Sequence, residues 1–200
     1  MIRKSFPSEF VLKKQLGFYP GGLTPLTADI LEIGPGNGEF LRAQARAFPS
    51  KRFVAIELKT SRFRSLVAMV QRESLTNVLL IHADARVLPQ YFPEGSFEKI
   101  YVLFPDPWPK PSHAFRRLLT APFLQMLAGR LQEEGTLLCA TDVQEYADWV
   151  DQNAGQTLLL RKTAEDQAPQ TAFDKKWRSQ GAKILYRSYC KKHKIHRSKP

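Results

Sequence analysis

Asp29-Ile30-Leu31-Glu32-Ile33-Gly34-Pro35-Gly36-Asn37-Gly38 reads as a short apolar strand that runs into a glycine turn. Phe40, Leu41, Gln44, Ala47 and Phe48 follow at near-helical spacing, so the unit is strand, turn, helix. Glycines let the backbone approach a ligand closely, and the helix N-terminus beyond them favours negative groups. A dinucleotide fingerprint started at Gly34 would need glycine at position 39, where Glu39 stands. The pattern is instead G-x-G-x-G, with Glu32 two residues before its first glycine. An acid there repels a pyrophosphate but can hold an ammonium group. A tight turn without a ligand is the alternative.

Further strands and helices alternate after this unit. Arg52-Phe53-Val54-Ala55-Ile56-Glu57 is a strand that ends in an acid. A carboxylate about twenty residues beyond such glycines can accept two hydrogen bonds from a ribose diol. A solvated strand-end acid is the plainer reading. Thr60 or Ser61 can cap the next helix, whose core face is Phe63, Leu66, Val67 and Val70. Asn77-Val78-Leu79-Leu80-Ile81 is the third strand, followed by His82-Ala83-Asp84-Ala85-Arg86. Asp84 would reach the base of a nucleotide lying along the strand ends. His82 reads as a structural residue, because no second His or Cys stands near it at metal spacing. Alternation of this kind implies an α/β chain with an open, mostly parallel sheet covered on both faces.

Glu98 to Leu103 is the next strand, and Phe104-Pro105-Asp106-Pro107-Trp108-Pro109-Lys110 follows it. Prolines at 105, 107 and 109 stop both helix and sheet, and each biases the residue before it towards an extended form. The strand must end in a stiff loop carrying a carboxylate, a large ring and a cation. Ligands of open α/β sheets sit outside the carboxyl ends of the strands. Trp108 has two readings, a stacking surface for a flat substrate or a lid packed on the core. Arg116 and Arg117, with His113 and Phe115, suit phosphate and ribose contacts.

Pro122 opens a helix with Phe123, Met126, Leu127 and Leu131 on its apolar face, and Thr136 to Thr141 is the fifth strand. Asp142 with Glu145 makes a capping-box-like pair ahead of Val143, Tyr146, Ala147 and Val150. Residues 156–162 and 183–189 read as two last strands.

The hydrophobic fraction of 43% suits a globular core and excludes wholesale disorder. No run approaches the roughly 18 apolar residues of a membrane span, and Met1 to Phe6 has no apolar signal region. Two cysteines are too few for a disulfide framework, and Cys139 reads as a small core residue. These features point to a reducing cytoplasm and to a site without metal. The net charge is +11, and residues 171–200 hold ten Lys or Arg against one acid, Asp174. A segment of that kind seeks a polyanion such as RNA.

Together the motifs resemble the bacterial-type tRNA (guanine-N7-)-methyltransferase family. The matching stretches are Leu31 to Gly38, Ile56-Glu57, His82 to Ala85, Phe104 to Lys110, Ala140-Thr141-Asp142, and Thr171-Ala172-Phe173-Asp174. The proline loop is the specific one, since most methyltransferases share the glycine turn. The resemblance implies a class I, Rossmann-like methyltransferase, with a mostly parallel seven-stranded sheet, helices on both faces and an antiparallel last strand. It implies S-adenosyl-L-methionine as donor and tRNA as partner, with methylation at N7 of a variable-loop guanine. By position, Glu32, Gly34, Gly36, Gly38, Glu57, Asp84, Ala85 and Asp106 would bind the donor, with Asp106 also catalytic. Lys110, Asp142, Thr171, Ala172, Phe173 and Asp174 would bind the RNA. Two departures stand out. Pro111, Ser112, Ala114 and Phe115 thin the basic run that usually follows the loop, and Asp174 stands where the family usually has Glu.

The expected organisation is an N-terminal arm over residues 1–27, a methyltransferase domain over 28–190 and a basic tail over 191–200; monomer and homodimer both fit. Three other functions compete. One is a methyltransferase of the same fold acting on another RNA or on an exocyclic amine. The others are a non-catalytic RNA-binding module and a nicotinamide-dependent oxidoreductase.

Overall fold

Ile30, Leu31, Glu32 and Ile33 are all buried, as are Phe53 to Glu57 and Val78 to Ile81. Strands hidden on both faces belong to the middle of a parallel sheet with helices on either side. The computed structural model describes residues 11–12, 28–164, 179, 181 and 183–192. Its strands are β1 (Val11–Leu12), β2 (Ile30–Ile33), β3 (Phe53–Glu57), β4 (Val78–His82), β5 (Phe97–Leu103), β6 (Leu131–Thr141), β7 (Leu160–Lys162) and β8 (Leu185–Lys191). Its α-helices are α1 (Glu39–Ala47), α2 (Thr60–Arg72), α3 (Leu88–Tyr91), α4 (Ala121–Arg130) and α5 (Gln144–Gly155).

The strand order is β1-β4-β3-β2-β5-β6-β8-β7. Strands β1 to β6 pair in parallel, and β8 runs antiparallel between β6 and β7. The expected seven strands with an antiparallel last one are present. An eighth adds to them: β1, from the N-terminal arm, joins the edge with Val11 opposite Leu80 and Leu12 opposite Ile81. Two apolar residues between breakers carry no readable period, so nothing local announced this strand.

From β2 the chain moves outward to β3 and β4, then returns to β5 on the other side of β2. The order reverses between β2 and β5, and a crevice opens above their carboxyl ends. The glycine turn leaves β2 and the proline loop leaves β5, so both flank that crevice.

One face of the sheet packs Leu31, Ile33, Ile56 and Val102 with Leu124, Leu127, Tyr146 and Val150. The other packs Ile30, Phe53, Ala55 and Tyr101 with Phe40, Leu41, Phe63 and Leu66. Cys139 is buried in the first cluster, as expected of a small core residue. Helix details differ from expectation. α1 buries Phe40, Leu41 and Ala45, but ends before Phe48, which is half exposed. α2 buries Met69, whereas Val67 and Val70 only flank the core. Leu131 belongs to β6 and not to α4.

Both expected caps fail. Lys59 is the N-cap of α2, with no side-chain cap, and its N–H donates to Glu57 Oε1 at 2.7 Å. Val143 is the N-cap of α5, and its N–H donates to Thr141 Oγ1 at 3.2 Å. Glu145 turns instead to Arg117, a partner far away in the chain.

The basic C-terminal stretch is less free than its composition implies. Arg187 is buried and donates to Asp151 Oδ2 at 2.7 Å, and the Tyr189 hydroxyl donates to Asp151 Oδ1 at 2.7 Å. Lys191 was expected in the solvated tail. It is the last residue of β8, 3% exposed, and donates to Leu131 O at 2.6 Å. Strand pairing carries the ordered chain past the expected boundary at 190.

Candidate active site

Glu32, one residue before the end of β2, and Glu57, the last residue of the adjacent β3, are 3% and 4% exposed. Each has one buried carboxylate oxygen, Oε2, with no hydrogen-bond partner among the described residues. Such an atom is costly to leave unmatched. Burial, then the charge of Glu57, pushes the Glu32 carboxyl up from 4.5 to about 8. The folded ligand-free protein therefore keeps a proton that the unfolded chain has already lost. Stability from this group is complete below pH 4.5 and is lost as pH rises through about 8. Denaturation at pH 5, 6.5 and 8 is expected to show falling stability, with the slope flattened in Glu32→Gln. Equal slopes would mean that Glu32 is already ionised in the folded protein.

The three glycines divide into two roles. Gly38 caps α1 at φ 78°, and a Cβ there would lie 2.6 Å from Leu66 Cδ2 and 2.7 Å from Met69 Cε. It lets α2 pack against the turn. Gly34 and Gly36, at φ 70° and 61°, have no atom within 4 Å of a notional Cβ and line the crevice. Their bare backbone faces space open to a ligand.

The proline loop is stiff in a different way from the one expected. Phe104 and Trp108, each before a proline, take φ 52° and 44° rather than an extended form. Left-handed backbone at bulky residues costs roughly 1–3 kcal/mol and persists only where neighbours hold it. Phe104 N–H donates to Ala140 O at 2.8 Å. Arg117 is 4% exposed and donates from Nε to Pro107 O at 3.0 Å. Its Nη2 reaches Trp108 O at 3.3 Å and Glu145 Oε1 at 2.6 Å. Its guanidinium carbon stands 5.0 Å from the Trp149 ring centroid. Arg117 is thus a buried brace between the loop and α5, not a phosphate contact. Its neighbour in the Arg-Arg pair does face solvent, with Cζ 4.8 Å above the Trp108 ring. Trp108 is half-buried, with one face taken by Arg116 and His113 set edge-on at 5.7 Å.

These elements enclose a cleft of about 810 Å3 at the crossover point. Glu32, Gly34, Gly36, Asp106 and Asp142 line it together, from the ends of β2, β5 and β6. Pro35 and Asn37 of the turn and Ser61, Arg62 and Ser65 of α2 also line it and were not named as site residues from the sequence, where Ser61 read only as a possible cap. Glu57, Gly38, Asp84, Ala85 and Lys110 are not among the lining residues. Asp84 accepts from Arg86 N at 2.9 Å and pairs with its guanidinium at 2.7 Å. Ala85 is buried in the single turn that Asp84 caps. Lys110 is exposed beside the loop. His82 Nε2 lies 3.2 Å from Leu58 O and 3.3 Å from Thr60 Oγ1, satisfied as expected. Thr171, Ala172, Phe173 and Asp174 lie outside the described residues. No group of three or more metal-ligating side chains occurs among the described residues, and no helix among them is long and apolar enough to cross a membrane.

A family model described as "Putative methyltransferase" matches residues 27–186. The chain belongs to this methyltransferase family. Among curated relatives of this family member, one from Thermotoga maritima is 39% identical over 161 residues, 78% of this chain and 51% of its own length. Another, from Nitrosococcus oceani, is 38% identical over 157 residues, 76% of this chain and 66% of its own. Both are named tRNA (guanine-N(7)-)-methyltransferase. The chain spans about half to two thirds of the length of these relatives. Among solved structures, the 16S rRNA methyltransferase KamB matches with TM-score 0.64 at 16% identity, covering 92% of this chain and 99% of that one. A SAM-dependent methyltransferase from Aquifex aeolicus matches with TM-score 0.54 at 12% identity, covering 82% and 81%. The fold is that of class I methyltransferases.

Proposed function

We propose that this family member transfers a methyl group from S-adenosyl-L-methionine to N7 of a guanine in tRNA. The observation that carries the reading is the pair of buried carboxylates on adjacent strands, Glu32 and Glu57, each with an unmatched oxygen, together with the bare backbone of Gly34 and Gly36 that lines the cleft beside Glu32. The names of the relatives supply the acceptor. An ammonium group and a ribose diol are the donors such oxygens would accept from, and both belong to that cofactor. The residues present therefore fit it: Glu57 towards the ribose, Glu32 towards the amino acid end, Gly34 and Gly36 as the floor. When bound, the cofactor would supply a methyl group on a sulfonium, open to in-line displacement.

The chain's own residues then have a limited task. Guanine N7 carries an in-plane lone pair that is free at neutral pH, so no strong general base is needed. What remains is positioning and charge. The ring gains positive charge as it is methylated, and Asp106 is the carboxylate that favours this. Asp142, on the same cleft, accepts from guanine N1–H or the exocyclic amine. The target base must leave its stack to enter, which costs least in a loop.

Incubation of bulk unmodified tRNA with labelled donor, followed by nucleoside analysis, tests the reading. The expected product is 7-methylguanosine. Label in another nucleoside, or none in tRNA, would overturn it.

The basic tail takes a secondary part. Because Lys191 belongs to β8, a clean truncation starts after Lys192 and removes Lys194, Arg197 and Lys199. Removing 193–200 is expected to weaken tRNA binding and flatten its salt dependence by up to roughly 0.7–0.9 log units per lost phosphate contact. The methylated position and the unfolding midpoint should not move. Methylation redirected to another nucleoside would give the tail a role in site choice.

A further inference from the structure

Phe115 stands on the short 3-10 helix Pro111–Arg116, directly after the proline loop, and is 75% exposed. Scattered surface apolar residues need no explanation, but this one belongs to an assembly. The Arg116 guanidinium carbon lies 5.5 Å from the Phe115 ring centroid and 4.8 Å from that of Trp108. His113 meets Trp108 edge-on. The Phe115 ring, the Arg116 cation and the Trp108 ring thus form a contiguous run, with His113 edge-on at its inner end, that starts two residues from Asp106 and finishes at an open aromatic face. No Asp or Glu occurs between Pro107 and Gln132. The cations of this stretch divide by role: Arg117 is consumed inside as the brace, Arg130 donates to Phe92 O at 2.6 Å, and Lys110 and Arg116 remain at the surface.

We propose that the open face of Phe115 is a stacking platform for an unpaired nucleobase of the RNA, next to the base that enters the cleft. This rests on the tRNA reading above. The chemistry is that of single-strand recognition, in which an aromatic face holds a base without reading its identity while nearby cations hold the phosphates. Arg116 serves twice, keeping the ring in place by cation–π contact and presenting its charge to the backbone. Phe115 carries no charge, so its share of the affinity does not depend on counterion release.

The test uses the full chain and unmodified tRNA, with binding measured across a salt series. Phe115→Ala is expected to weaken binding about 5- to 100-fold while leaving the slope of log affinity against log salt unchanged. Phe115→Trp should restore affinity, and Phe115→Leu should not. Affinity for a fully paired RNA duplex should be the same in all four proteins. tRNA carrying 2-aminopurine in turn at each loop position should show one position whose fluorescence is quenched by wild type and not by Phe115→Ala. Unchanged tRNA affinity in Phe115→Ala, or full affinity in Phe115→Leu, would overturn the proposal. So would a change in self-association on sedimentation, which would make the ring a contact between copies. Nucleoside analysis of the wild type keeps the two readings apart. A protein that forms no 7-methylguanosine fails the function, whereas one that forms it and ignores Phe115→Ala fails only the platform.

Discussion

Replacing Asp106 with asparagine is expected to lower turnover about 100-fold at saturating donor and tRNA, while tRNA affinity changes little. The substitution keeps the size of the side chain, removes the charge and exchanges one acceptor oxygen for an NH2 donor. That charge matters most when the guanine ring becomes cationic, so its loss falls on the transition state rather than on the bound substrate. In the free protein Asp106 is solvent-exposed. The expected size of the effect therefore depends on substrate covering it and lowering the local dielectric. Single-turnover methylation with excess enzyme separates the chemical step from binding. Turnover held within a few-fold of wild type would reduce Asp106 to a former of the loop.

The second large effect is expected at Arg117, which touches no proposed ligand. Arg117→Met should lower the unfolding free energy by about 2–4 kcal/mol, from two charge-assisted bonds to backbone carbonyls at about 1.5–3 kcal/mol each at most. The ion pair with Glu145 adds little, because Glu145 is 63% exposed on its side chain and screened by water. Turnover should fall at least tenfold while the donor still binds, because the loop that carries Asp106 loses its brace. Arg117→Lys should recover only part of either loss. A single ammonium cannot reach Pro107 O, Trp108 O and Glu145 with the geometry of a planar fork. Glu145→Gln should cost much less than Arg117→Met. If Arg117→Met matches wild type in denaturation, or destabilises without lowering turnover in the folded fraction, the loop holds its shape unaided.

The succession of strands and helices along the chain, the glycine turn after β2 and the proline loop after β5 were legible because each is written in neighbouring residues. An alternating or continuous apolar run, a glycine at positive φ and a proline without an N–H act within a few positions of themselves. The sheet class followed from that alternation, and Glu32, Asp106 and Asp142 could be named because each lies near the carboxyl end of a strand. What neighbouring residues could not convey is which charges meet. Arg117 reads like Arg116 in the chain, yet one is buried against Pro107, Trp108 and Glu145 and the other lies open over Trp108. Lys191 counts as basic tail, and Arg187 as one more charge of a basic C-terminal stretch, until pairing along β8 buries them. Gly38 matches Gly34 and Gly36 in spacing, but Leu66 and Met69 make it a packing residue. The cap at Asp142 failed for the same reason, since Glu145 found a partner 28 residues upstream. A charge or a cap takes the best partner available in space, and that choice is made only when the sheet brings distant segments together.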